Sequence, residues 1–280
     1  MKKSNSMLLK EQKIMVSIDS IKKNANLCRQ RIIKLGMKGC FVGSALSCVD
    51  IITYLYYADL VSYDNSKGYF ILSKGHAVPA LYAVLEKVGA IESERFSKYN
   101  TIEDDLYLHP NANIPGVVIH SGSLGHGISI ASGIAIDLKR TGENKSVYVM
   151  VGDGELNEGS NWEAIMMAGA QQLSNLKIIV DRNYFQANYP TEELVPLESL
   201  EDKFKSFGVN VKVFDGHDFE MMQKVFNEKT ENKTKPTVYI AKTIRGKGIP
   251  SIENDWEQWY MEYDEERCEE LLNELYKTTR

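Results

Sequence analysis

An apolar run, Val147-Tyr148-Val149-Met150-Val151, leads straight into Gly152-Asp153-Gly154-Glu155. A run with no polar alternation reads as a strand buried on both faces of a parallel sheet. Its abrupt end in two glycines and a carboxylate places a hard oxygen at the sheet rim. Glycine lets the backbone turn tightly and come close to a ligand. The helix expected next points its free N–H groups at the same place. That combination suits a diphosphate held together with a divalent cation. Thirty residues after Asp153, at Asn183, a second apolar run has just closed in Asp181-Arg182-Asn183. Asn183 offers a second oxygen, and Mg²⁺ takes a few protein oxygens and completes its octahedron with phosphate and water. A Gly-Asp-Gly by itself reads as a turn; two strand ends at this spacing favour a site.

The elements that must position these residues follow from the hydrophobic pattern. Residues 11–35 carry Ile14, Ile18, Ile21, Ala25 and Leu27 near helical spacing. Ser47, with Asp50 three residues on, reads as the cap of a helix through Tyr57. Residues 69–72 form a short strand, and 78–88 a helix stopped by Gly89. Residues 100–116 lack periodicity and read as a long loop, which is uncommon without a function. A small-residue helix is expected over 124–138, strands over 147–151 and 177–180, and a helix over 161–173 between them. Strands over 209–214 and 237–241 flank a helix over 219–226. Strand and helix in alternation imply an α/β fold, a parallel sheet with helices on both faces. Ligands of such sheets bind beyond the carboxyl ends of the strands, where both motifs fall.

Composition narrows the rest. The chain has 280 residues, 43% apolar and 25% charged, with a formal net charge of -5. That is an ordinary globular composition with no electrostatic case for nucleic acid. The opening MKKSNSMLLK has no apolar stretch behind its lysines, so no signal peptide is expected. No apolar run reaches the roughly 20 residues of a membrane span. Cys28, Cys40, Cys48 and Cys268 form no C-x-x-C pair and suggest neither a metal nor a disulfide framework, which suits a reducing cytoplasm. No internal repeat is evident.

The segment GDGELNEGSNWEAIMMAGAQQLSNLKIIVDRNYFQ resembles the thiamine-diphosphate motif of transketolases, which opens with GDGE, continues E-G-x-x-W-E-A and closes with D-x-N. Around it LSKGHAVPALYAVL, LHPNANIPGV, HSGSLGHGISIASGIAI, FDGHD and AKTIRGKGIP are similar to further elements of that family, in order, over residues 20–250. The resemblance implies the thiamine-diphosphate-binding fold and the cofactors thiamine diphosphate and Mg²⁺. It gives Asp153, Asn183 and the backbone carbonyl of Phe185 as metal ligands. Gly152, Gly154 and Glu155 would lie along the cofactor, and Ser123, Leu124 and Gly125 would line its aminopyrimidine. His76 would contact the diphosphate and His109 the bound donor sugar, the two residues expected to serve catalysis. His120 and His217 read as loop or packing residues and Trp162 as core, whereas His126 is open between packing and ligand contact. The acidic tail, DEERCEELLNELYKTTR, reads as a solvated amphipathic helix that could rest on a partner.

Three departures from the family pattern qualify this. The chain is expected to be one domain over 1–280, with its core over 20–250 and an extension over 251–280. A complete transketolase has a second domain, whose glutamate activates the cofactor's pyrimidine. Split forms exist, so a C-terminal subunit with the pyrimidine-binding domain is the expected partner, in a heterotetramer. The family's S-G-H-x-G-G-S-L-S is here Gly39-Cys40-Phe41-Val42-Gly43-Ser44-Ala45-Leu46-Ser47, with Phe41 for the histidine, and Tyr260 replaces a second one. Imidazole shuttles protons near neutral pH and phenyl does not. The expectation is a carboligase moving a two-carbon ketol unit to an aldehyde or sugar through an altered pocket, cytoplasmic and active only with its partner. The alternatives are the α subunit of a thiamine-dependent 2-oxo-acid dehydrogenase or decarboxylase, and a non-catalytic complex subunit.

Overall fold

Strands without polar alternation need cover on both faces, and the helices supply it. The computed structural model describes residues 16–278. Its strands are β1 (Gly68–Leu72), β2 (Ser146–Gly152), β3 (Leu176–Arg182), the short β4 (Phe185–Gln186) and β5 (Tyr189–Pro190), β6 (Asn210–Asp215) and β7 (Thr237–Lys242). β4 and β5 form an antiparallel hairpin; the others form one parallel sheet in the order β1-β2-β3-β7-β6.

The helices are α1 (Ile18–Gly36), α2 (Val42–Tyr57), α3 (Val78–Lys87), α4 (Gly127–Thr141), α5 (Gly159–Ala170), α6 (Thr191–Leu194), α7 (Leu200–Ser206), α8 (Phe219–Asn227) and α9 (Glu265–Thr278). Successive strand side chains enter opposite cores. Tyr148 and Met150 join α1, α2, α3, α8 and α9. Val147, Val149 and Val151 join α4, α5 and α7. The chain steps β1, β2, β3 and out to β6 in one direction, then back to β7. The reversal puts α8 on the face opposite α4, α5 and α7, as right-handed crossovers require.

α2 is buried along its length from Val42 to Tyr56, so even its polar residues, among them Ser47 and Asp50, lie inside the protein. It begins five residues before the expected cap at Ser47. Ser47 lies inside the helix, where its hydroxyl bonds to Ser44 O at 2.9 Å and to Asp181 at 2.6 Å. Asp50 is a buried partner of Arg29 and His217. α1 is capped by Ser17, whose side chain accepts from Ser20 N; Ile14 and the rest of 11–15 lie outside the described residues. α4 starts three residues later than expected and stops at left-handed Gly142, φ 76°. The stretch 100–116 contains no helix or strand.

The acidic tail is not merely solvated. α9 buries Cys268, Leu271 and Leu275 in the core shared with α1, and Tyr263 donates to Ile33 O at 2.5 Å. Cys40 and Met261 exchange two backbone bonds of 2.9 Å, which ties residues 259–261 to the start of α2. All four cysteines are buried and free. Among the described residues no helix is long and apolar enough to cross a membrane.

Candidate active site

The carboxyl ends of β2, β3 and β7 face one cavity of about 210 Å³. Register explains the convergence: Gly152 pairs with Asp181, and Asp181 with Ala241. Asp153, Asn183 and Arg245 therefore follow the ends of three neighbouring strands, β2, β3 and β7, on the same rim of the sheet. His76 enters from the short turn after β1, and Leu124 from the turn before α4.

Asp153 is 1% exposed. Its Oδ1 accepts from Gly154 N at 2.8 Å; its Oδ2 accepts from Tyr184 N at 2.6 Å and Arg182 Nη1 at 3.0 Å. Burial pushes its carboxyl up to about 6, against the pull of Arg182. Asn183 accepts from Phe185 N at 3.0 Å and donates to Asp181 at 3.1 Å, which fixes its amide orientation. Gly152, Gly154, Phe185 and Glu155 also line the cavity. Glu155 is spent on the protein: it accepts from Ser73, from Gly125 N at 3.0 Å and from Gly152 N at 3.1 Å. It shapes the loops rather than presenting a free carboxylate. A Cβ on Gly154 would stand 2.7 Å from Gln186, so that glycine is needed to admit the β4–β5 hairpin.

Three expected residues sit apart from this cavity. His109 packs on Gly122, whose added Cβ would meet the ring at 3.2 Å, and lies 6.4 Å from the Phe41 ring. Gly125, φ 88°, is wedged against Glu158 and Ser160. Ser123 borders a neighbouring hollow with His120 and His126. His120 accepts from Ala112 N at 3.3 Å, while His217 bonds to Asp50 at 2.9 Å and accepts from Ile244 N at 2.9 Å. Both hold loops. Trp162 donates to Leu156 O at 2.7 Å and stacks near Phe204 and Phe207.

Beyond the expected residues, Ser44, Lys74, Gln186, Ala187, Trp259 and Arg245 also line the cavity. Arg245 is 2% exposed and donates through Nη1 to Ala187 O at 2.5 Å, while its Nε and Nη2 have no partner. Burial lowers its pKa to about 10. A buried guanidinium with free donors fits an oxyanion. Lys74, by contrast, is matched: burial opposes its charge, but Asp181 outweighs that and raises its pKa. Asp181 also accepts from Ser47 and Thr243. The sequence does carry a signal for Arg245, since it stands just past the apolar strand 237–241 in a Gly-Lys-Gly segment.

Among the described residues no three His, Cys, Asp or Glu gather as a metal cluster. A cation at Asp153 and Asn183 would draw most of its ligands from phosphate and water, as Mg²⁺ does. One carboxylate, an amide, a guanidinium with two free nitrogens and a neighbouring imidazole fit a diphosphate with a divalent cation. At the mouth Phe41 is ringed by aromatics: Trp259 at 5.0 Å, Tyr260 at 5.3 Å and His76 at 5.6 Å between centroids. Burial first, then Lys74, His109 and Arg245, depress His76 to about 3, so its imidazole is neutral.

The family model for the transketolase thiamine diphosphate binding domain matches residues 36–269. An apulose-4-phosphate transketolase subunit from Actinobacillus succinogenes is 35% identical over 273 residues, 93% of this chain and 97% of that protein. The 6-deoxy-6-sulfo-D-fructose transketolase subunit of a Clostridium species is 33% identical, over 90% of this chain and 93% of its own length. The transketolase structure from Leishmania mexicana superposes with a TM-score of 0.83 and 26% identity over 95% of this chain, which spans only 42% of that one. The chain belongs to the transketolase family and corresponds to its thiamine-diphosphate-binding domain.

Proposed function

We propose that this chain is the N-terminal subunit of a thiamine-diphosphate-dependent transketolase-like enzyme, transferring a two-carbon ketol unit with a second subunit. The observation that carries the reading is the one cavity in which Asp153, Asn183, His76 and Arg245, with its free Nε and Nη2 donors, converge. Mg²⁺ is held by Asp153, Asn183 and the carbonyl of Phe185. His76 and Arg245 hold diphosphate oxygens, with Gly152, Gly154 and Leu124 along the cofactor. When bound, thiamine diphosphate supplies a thiazolium carbon that can carry the ketol unit between carbonyl compounds. His109 faces the donor, with Ser123 and Gly125 holding the loop beside the aminopyrimidine.

Two relatives named as transketolase subunits match this chain over 87% and 97% of their own length. The word subunit in those names supports a partner chain; the partner we propose carries the pyrimidine-binding domain and forms a heterotetramer with this chain in the cytoplasm. They specify a sugar phosphate and, in another relative, a sulfo sugar. Phe41 and Tyr260 in place of imidazoles support a donor other than the ordinary straight-chain pentose phosphates. The test is to co-purify this chain with its partner, titrate cofactor and Mg²⁺ by calorimetry, and compare ketose with 2-oxo-acid donors. Binding together with ketose turnover is expected. No cofactor binding, or turnover of 2-oxo acids alone, overturns the reading.

A further inference from the structure

Arg182 is bonded to Asp153 of the proposed cation site but is not among the side chains that line the cavity. It is 1% exposed, and all five of its N–H donors are used. Nη1 donates to Asp153 Oδ2 at 3.0 Å and Thr191 at 2.7 Å. Nη2 donates to Glu192 at 2.5 Å and Glu198 at 3.0 Å, and Nε to Glu198 at 3.2 Å. Its guanidinium lies 4.1 Å over the Tyr184 ring. The residue thereby joins Asp153 to the segment that follows the β4–β5 hairpin.

A carboxylate has about four lone-pair positions. On Asp153, Oδ2 accepts from Tyr184 N and Arg182, and Oδ1 from Gly154 N. One position remains, on Oδ1. Arginine beside a cation site also brings a charge of the wrong sign. Glu192 and Glu198, both partly exposed, neutralise it, so Asp153 keeps its own charge for the cation.

We infer that Arg182 is a positioning residue that restricts Asp153 to binding a divalent cation through a single oxygen. This rests on the cation site proposed above. Mg²⁺ keeps tight octahedral geometry, whereas Ca²⁺ accepts carboxylates through both oxygens. Occupying Oδ2 therefore biases the site against the larger ion.

The experiment is calorimetric binding of thiamine diphosphate to the two-subunit complex, titrated with Mg²⁺ and with Ca²⁺, alongside thermal melting. Cation-independent binding by the wild type defeats the cation site itself. Given cation-dependent wild-type binding, Arg182→Met shifts the Ca²⁺:Mg²⁺ affinity ratio about tenfold toward Ca²⁺, the scale on which supporting hydrogen bonds act on metal ligands. Arg182→Lys keeps a charged donor for Oδ2 and retains the wild-type ratio even if the melting temperature falls. An unchanged ratio in Arg182→Met, with lower melting alone, makes Arg182 merely structural and overturns the inference. Should Arg182→Met not fold, the double variant Glu192→Gln, Glu198→Gln decides. With Asp153 left as the guanidinium's carboxylate partner, binding with either cation weakens and the ratio holds; unchanged affinity overturns the inference.

Discussion

Gly152 and Asp181 are register partners at the ends of adjacent parallel strands. Each is followed within two residues by a side chain that lines the same cavity, Asp153 and Asn183. Residues thirty apart in sequence become neighbours because the strands share direction and height, and the crossover through α5 costs no offset.

Asp153→Ala should abolish cation-dependent thiamine diphosphate binding while leaving the fold intact. The guanidinium released by the substitution still has Glu192, Glu198 and Thr191, so no charge is left buried alone. Calorimetry on the two-subunit complex and a melting curve check both halves. Wild-type affinity in the variant removes the metal assignment.

His76 and His109 should separate kinetically. His76→Gln raises the cofactor dissociation constant; His109→Ala lowers turnover with cofactor affinity unchanged. His76 carries a pH signature as well. It is held neutral down to about 3, whereas an unfolded histidine takes its proton near 6.5. Between these values the unfolded chain binds one more proton, so stability rises with pH, by at most about 1.4 kcal/mol per unit. Denaturation of the cofactor-free chain between pH 6.5 and 5 should show a shallower slope in His76→Gln. Equal slopes would contradict the half-buried, neutral imidazole.

Lys74→Met should destabilise the chain by about 3–5 kcal/mol, because it strands a buried carboxylate at Asp181. Lys74 and Asp181 are 1% and 0% exposed. Urea denaturation measures it. A loss of about 1 kcal/mol or less, the worth of an exposed ion pair, would show that Ser47 and Thr243 satisfy Asp181 unaided.

Phe41→His should open the pocket to hydroxyl-rich ketose donors. The Phe41 ring, packed beside Trp259 and Tyr260, returns no hydrogen bond to a hydroxyl as an imidazole would. We expect kcat/KM for such donors to rise by up to about tenfold, the worth of one hydrogen bond, with cofactor affinity unchanged. No gain on any of them would assign donor choice to the partner subunit.

Apolar strand interiors announced β2, β3 and β7, and their polar ends announced the site, because parallel strands bury both faces. The start of α2 was hidden for a related reason. Ser47 looks like a cap in sequence, yet its hydroxyl serves Asp181, 134 positions away. The β4–β5 hairpin has two residues per strand, too few to show a period. Arg182 was a spacer in the D-x-N pattern until Glu192 and Glu198 folded onto it. Tyr260 reached Phe41 only through the backbone pair Cys40–Met261, which no periodicity encodes.

The central claim is that this chain supplies the diphosphate and cation half of a shared active site. The most direct measurement is ketol transfer by the purified chain, with excess thiamine diphosphate and Mg²⁺, before and after the pyrimidine-domain subunit is added. The account predicts no turnover by the chain alone and turnover on mixing, lost again with Asp153→Ala. Sustained turnover by the lone chain, with no second polypeptide found by mass spectrometry, would contradict it.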